Sequence, residues 1–254
     1  MQCSSDGESM KNSLLTASLL TAAVLAGAPG CRRDKGTPGS DSVLASTTVS
    51  STGTPSTPIA PDHSSVIPKA INDVGTYGED LYDEIKAGKS KRTKDLLDSL
   101  RVAAKELPRD ERLKPQRATV ESAIAALGNA LRMRNHTAAL EAANQATLAS
   151  AQMTASFSGQ IPPGVLVLEY YGRELEIWSA KKDVARLRRT VESLTTSWDT
   201  LKPTVEARGG GGAAARTDSL VARINSAKSP SDYATITPAL LDEVDVLEKV
   251  FTKQ

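Results

Sequence analysis

The chain has 254 residues, with 31 Lys+Arg against 30 Asp+Glu and a net charge of +1. That balance argues against an electrostatic nucleic-acid binder, which needs an excess of basic charge. Two Cys and two His argue against a disulfide framework and a His-rich metal centre, and an aromatic share of 4% argues against a large sheet-built core.

The first element in chain order is an address. Lys11 forms a short basic start, Leu14 to Ala26 carries no charge, and the small residues Gly27, Ala28 and Gly30 lead to Cys31. The uncharged run has the length of a signal-peptide core and is short for a bilayer span. Residues 10–31 resemble a bacterial lipoprotein signal peptide, with Ala28-Pro29-Gly30-Cys31 in the place of the lipobox. Ala28 and Pro29 depart from that class, which prefers Leu three residues and Ala or Ser two residues before the Cys. The resemblance implies a signal peptide over 1–30, cleavage before Cys31 and a diacylglycerol on the Cys31 sulfur. It also implies a lipid-anchored place in the bacterial cell envelope. Arg32, where an Asp would hold such a protein at the inner membrane, points to the outer membrane. The acidic prefix before Met10 is foreign to a signal peptide, so translation is expected to start at Met10.

Residues 31–66 read as a disordered tether behind the lipidated Cys. Ser, Thr, Pro and Gly dominate it, and it has too little apolar surface to offset the entropy of ordering. Such a coil spans on the order of 30 Å.

From Ile67 the apolar spacing becomes helical. Ile67, Ile71, Val74, Gly78, Leu81 and Ile85 alternate steps of four and three. Val120, Ile124, Leu127 and Leu131 do the same, as do Val184, Leu187, Val191, Leu194, Trp198 and Leu201, and again Leu240, Val244, Leu247 and Phe251. Each stripe is one face of a helix that packs on others. Val165 to Leu168 is the only strand-like run, and Pro162-Pro163 before it marks a helix start instead.

A shift of 94 residues carries Ile67-Pro68 onto Ile161-Pro162, Tyr77-Gly78 onto Tyr171-Gly172 and Leu81 onto Leu175. The same shift carries Ser99-Leu100 onto Ser193-Leu194, Leu107 onto Leu201 and Phe157 onto Phe251. The apolar face is preserved, so the domain is read as an internal duplication of 67–159 and 160–254. The fold class is therefore all-α: two tandem, duplicated, up-down antiparallel bundles of about four helices each. Helices are expected near 68–87, 91–107, 115–134 and 137–157, then near 164–181, 184–207, 213–227 and 231–252. The first two of each half are alternatively one long bent helix. Asp183 and the run Ser229-Pro230-Ser231-Asp232 are expected helix caps. Pro203 and Pro238 are expected to kink or restart their helices.

The sequence offers no catalytic set and no cofactor motif. Ala213-Ala214-Ala215 after the Gly209–Gly212 run rules out a phosphate loop, which needs Gly-Lys-Ser/Thr. Asp242, Glu243, Asp245 and Glu248 form an acidic cluster, read as a solvated face with an Asp245–Lys249 pair. His136 reads as a polar residue at a helix start. The segment of most interest is Glu169 to Glu176 and its counterpart Tyr77 to Leu81, in which a Tyr-Gly pair recurs. These pairs are expected at a junction between or within bundles. Tyr77, Asp80, Tyr171 and Glu174 are the candidate interaction or ligand residues.

A duplicated helical bundle in an envelope lipoprotein looks like the imelysin-type proteins, implicated in iron handling. Their hallmark is Gly-x-His-x-x-Glu, and Gly172-Arg173-Glu174-Leu175-Glu176-Ile177 lacks both the His and the spaced Glu. The likeness is architectural, and no metal ligand or cofactor is carried across. The expected function is a non-catalytic binding or assembly module, held to the membrane through Cys31 and meeting a protein partner in the envelope, not nucleic acid. The alternative is a periplasmic metal- or small-ligand-binding protein.

Overall fold

A computed structural model describes residues 66–252, so the leader, Cys31 and all of the tether but Val66 lie outside the described residues. Among the described residues eight α-helices follow one another: α1 (Lys69–Lys86), α2 (Ser90–Lys105), α3 (Lys114–Arg132), α4 (His136–Thr154), α5 (Pro163–Lys181), α6 (Val184–Ala207), α7 (Gly211–Ser226) and α8 (Pro230–Thr252). A single 3-10 turn, Glu111–Leu113, precedes α3. Among the described residues no helix is long and apolar enough to cross a membrane.

The helices form two rings. In the first, α1 packs on α2 and α4, and α3 packs on α2 and α4; in the second, α5 packs on α6 and α8, and α7 packs on α6 and α8. Short connections between consecutive packed helices make each ring an up-down antiparallel bundle. The rings join through α4 and α5.

The duplication is visible in the backbone. The starts of α1, α2 and α4 (Lys69, Ser90, His136) map onto those of α5, α6 and α8 (Pro163, Val184, Pro230) at the same shift as the sequence repeat. Only α7 starts three residues later than its counterpart α3. The α1–α2 turn has Gly88 in the left-handed region at φ +72°, and its equivalent Lys182 has φ +56°. Lys89 N–H donates to Glu84 O at 2.9 Å, and Asp183 N–H to Trp178 O at 3.0 Å, so both turns are the same Schellman closure. The two helices on either side of this turn are separate in both halves, not one bent helix.

The expected stripes form the core. Ile71, Val74, Leu81, Val120, Leu127, Leu187, Leu194, Leu240 and Leu247 are all fully buried. Four positions of those stripes depart: Val184 is exposed at the start of α6, and Ile67, Ile124 and Leu131 are only half-buried. The expected caps form. Asp183 accepts from Arg186 N–H at 3.0 Å, and Ser229 and Asp232 make a reciprocal capping box at 2.9 and 3.3 Å. Of the kink or restart expected at the two prolines, the restart does not occur. Pro203 and Pro238 restart nothing: α6 and α8 run through them, and both rings face solvent. Asp245 makes no ion pair with Lys249; instead Glu243 accepts from Arg216 of α7 at 2.8 Å. The glycine run is shorter as a loop than expected, because α7 begins at Gly211.

Helix α4 has no single apolar face. Beyond His136 only Gln152 is exposed, and Ala139, Ala142, Ala143, Ala146, Ala149 and Ala151 are buried. Alanine lets α1, α3 and α5 all approach this helix. Two donors that it buries find backbone acceptors: Ser150 Oγ donates to Ile71 O at 2.7 Å, and Asn144 Nδ2 to Tyr170 O at 3.1 Å.

Candidate functional site

The two Tyr-Gly pairs lie within their bundles. Gly78 of α1 faces α4, where a Cβ would sit 2.8 Å from Thr147 Oγ1 and 3.1 Å from Thr147 N. Gly172 of α5 faces α8, where a Cβ would sit 2.6 Å from Leu241 Cδ2. Thr147 and Leu241 are themselves equivalent positions, so both glycines make the same close approach of first to fourth helix.

The four residues singled out from sequence do not converge. Asp80 turns to Arg92 of α2, at 3.6 Å. Glu174 accepts from Trp178 Nε1 on its own helix and lies by Asn144 of α4; burial pushes its carboxyl above the ordinary range. Tyr171 packs edge-on against Tyr170, with centroids 5.1 Å apart, and Tyr77 packs half-buried against the core. Among the described residues no hydrogen bond or ion pair joins any two of the four, and no group of three or more His, Cys, Asp or Glu is placed to hold a metal ion.

A seam between the repeats lies beside them. Tyr82 of α1 donates its hydroxyl to Glu176 Oε2 of α5 at 2.7 Å, and Lys86 pairs with the same carboxylate. Arg173 stacks its guanidinium 5.2 Å from the Tyr82 ring centroid and pairs with Glu169 at 2.6 Å, as the i,i+4 spacing leads one to expect. Glu79 of α1 faces this arrangement. Burial, with the Glu169 carboxylate opposite, pushes its carboxyl up to about 8, against the pull of Arg173. Burial and the acids nearby also raise Glu169 and Glu248. The seam is a polar lock whose charge depends on pH. Within it Arg173 Nη1 is buried without a hydrogen-bond partner.

Space opens elsewhere. Between α2 and α3, closed at one end by the α1–α2 turn and the start of α4, is a cleft of about 910 Å³. Its floor includes Leu97, Ile124 and Leu131. The half-burial of Ile124 and Leu131 has its cause here: α2 does not cover this face of α3. Lys89, Lys94, Arg101, Arg132 and Arg134 line the rim, and Glu121 is the one carboxylate among the lining residues. His136 joins the cleft to the fold, its Nε2 lying 2.8 Å from Ile85 O at the end of α1.

The second repeat closes the same gap. Trp198 stands at the position of Ala104, and its Nε1 donates across to Asp218 of α7 at 2.8 Å. Lys202 reaches Asp218 at 2.7 Å, and Asn225 donates to Thr195 Oγ1 at 3.0 Å. Among the described residues no side-chain hydrogen bond or ion pair crosses from α2 to α3. The cleft was missed because each stripe was read as core. The available signal is Arg101, Ile124 and Leu131 falling on Thr195, Asp218 and Asn225 in the repeat alignment: polar residues that bond across the gap in one copy stand where the other has two apolar residues and a cation. Comparison with known protein families, with characterised proteins and with solved structures finds no match for this chain.

Proposed function

We propose that the chain is a membrane-tethered, non-catalytic binding module of the bacterial cell envelope. One observation carries the reading: the order along the chain of an uncharged leader, small residues before Cys31, a Ser/Thr/Pro-rich spacer and a two-bundle domain. Each part has a physical role in that order. The leader exports the chain, an acyl group on Cys31 supplies apolar surface for the membrane, and the spacer gives the domain reach. The duplicated bundle is a rigid carrier. Arg32 after the Cys supports the outer membrane as the place of anchoring.

The small-ligand form of the alternative gains support from the α2–α3 cleft, whose volume lies in the range of ligand sites. The test is intact-mass measurement and membrane fractionation of wild type and Cys31→Ala. Wild type is expected in the membrane with the added acyl mass, and Cys31→Ala in the soluble pool without it. Identical mass additions and identical fractionation overturn the tether.

A further inference from the structure

We infer that the α2–α3 cleft binds a single-chain anionic amphiphile, a long-chain fatty carboxylate, with its hydrocarbon on the Leu97–Ile124–Leu131 floor and its head on the basic rim. Three observations carry this. Ile124 and Leu131 of the apolar floor are only half-buried, and an uncovered apolar surface favours an apolar occupant. The cleft follows α2 from Lys89 to Arg101, roughly 18 Å of helix, which suits an extended acyl chain rather than a compact solute. The rim has the opposite sign to a carboxylate. Lys89 is partly neutralised by Glu84 at 3.6 Å, and Lys94 and Arg101 share the single carboxylate of Asp98. Among the described residues Arg132 meets only the neutral amide of Asn129, and Arg134 has no acidic partner. Cationic charge is therefore left over at the rim, and a bidentate guanidinium is the group best suited to a carboxylate head.

The comparison of repeats makes the cleft specific to one copy. The same fold closes its α6–α7 gap with Trp198 and with bonds from Lys202 and Asn225, so an open gap is not required by the architecture. Repeat 1 has Ala104 and Arg101 where repeat 2 has Trp198 and Thr195. Arg101 lines the cleft and sets a positive charge where repeat 2 has a neutral hydroxyl.

The inference rests on the reading of the chain as a binding module, and its test separates the two. The full chain is loaded with a fluorescent polyene fatty acid, which is then displaced by dodecanoate, by dodecanol or by dodecyltrimethylammonium. Dodecanoate is expected to displace the probe from one site per chain, with the neutral and cationic analogues at least tenfold weaker. Two variants are compared: Arg101→Glu with Arg134→Glu, at exposed positions, and Ala125→Trp, which fills the cleft from α3. Each is expected to bind dodecanoate at least tenfold more weakly with an unchanged helical melting curve. Absence of saturable binding overturns the inference, as does equal binding of the three head groups, or wild-type affinity in the charge variant. So does a wild-type dimer that Ala125→Trp makes monomeric while neither binds the probe, since the cleft then covers a second copy of the chain. If dodecanoate fails while Cys31→Ala still releases the chain from membranes, the ligand is overturned and the tethered module stands. If dodecanoate binds while Cys31→Ala changes nothing, the ligand stands and the tether falls.

Discussion

Tyr82 and Glu176 hydrogen-bond to one another at 2.7 Å, and they occupy the same position of the two repeats. A position that touches its own copy lies where the repeats meet, so this contact marks the seam of the duplication. The pair has diverged into a donor and an acceptor. Burial and the neighbouring carboxylate push the Tyr82 phenol up, which keeps it a donor throughout the neutral range.

Breaking that pair is expected to loosen the seam without unfolding either bundle. Tyr82→Phe removes the donor and keeps the ring against Arg173. It is expected to lower stability by about 1 to 2 kcal/mol, the cost of a buried bond to a charged acceptor. Glu176→Gln also removes the charge that pairs with Lys86. A double-mutant cycle on Tyr82→Phe and Glu176→Gln by urea unfolding is expected to show coupling between the two sites. Strict additivity contradicts the contact.

The seam is also expected to make stability depend on pH. Glu79 ionises in the unfolded chain near its ordinary value of 4.5 and in the folded chain at about 8. Between these values the unfolded state binds fewer protons, so stability falls as pH rises through this window and levels off above it. Below 4.5 both states are protonated and the effect vanishes. Asp83 beside it on α1, Glu169 and Arg173 on α5, and Glu248 on α8 set the local field. Glu79→Gln fixes the neutral form. Thermal unfolding from pH 4 to 9 is expected to show the variant equal to wild type at the acid end, more stable at the alkaline end, and with a shallower slope between. Parallel curves for the two proteins contradict this account.

The paired glycines are expected to respond differently to the same change. At Gly78 a Cβ meets the Thr147 backbone nitrogen at 3.1 Å and Ala143 O at 3.3 Å as well as the Thr147 hydroxyl. Backbone cannot turn aside, so Gly78→Ala pushes α1 from α4 and is expected to cost about 1 to 3 kcal/mol. At Gly172 the Cβ meets the end of the Leu241 side chain, which can change rotamer. The gain in helix propensity, about 1 kcal/mol, offsets that adjustment and leaves Gly172→Ala near neutral. Chemical unfolding of the two variants measures the difference, and equal losses refute it.

These cases show what the sequence made legible. Periodic stripes such as Ile71–Val74–Leu81 and Leu240–Val244–Leu247 gave helix type and extent, because leucine and valine at helical spacing have only one stable way to hide. The repeat gave the two-bundle plan. The central place of α4 was not legible, since Ala143, Ala146 and Ala149 carry too little apolar contrast to mark a face, and closeness on several sides is a property of small volume. That Tyr77, Asp80, Tyr171 and Glu174 are not joined to one another has another reason. Equivalent positions in two repeats share a local environment, but whether they face each other depends on how the bundles dock, and the side chains of Asp80 and Glu174 turn to α2 and α4 instead. The cleft is an absence of packing, and stripes record only what is available to pack.

The α5–α6 turn offers a gain in stability. Lys182 holds φ +56°, the conformation its equivalent Gly88 adopts at +72°, and its side chain is exposed. A residue with a Cβ in the left-handed region is disfavoured by about 1 kcal/mol relative to glycine. The ion pairs at this end belong to Lys181 and Arg186, each with Glu141, so Lys182 gives up no partner when replaced. Lys182→Gly is expected to raise stability by about 0.5 to 1 kcal/mol, and Gly88→Lys, the reverse exchange in the other repeat, to lower it by a similar amount. Urea midpoints of the two variants and of the double variant check this. The double variant is expected to return to wild type, because among the described residues no hydrogen bond or ion pair links the two turns. A loss of stability in Lys182→Gly shows that the Schellman closure of the second repeat does not rest on backbone strain at that residue.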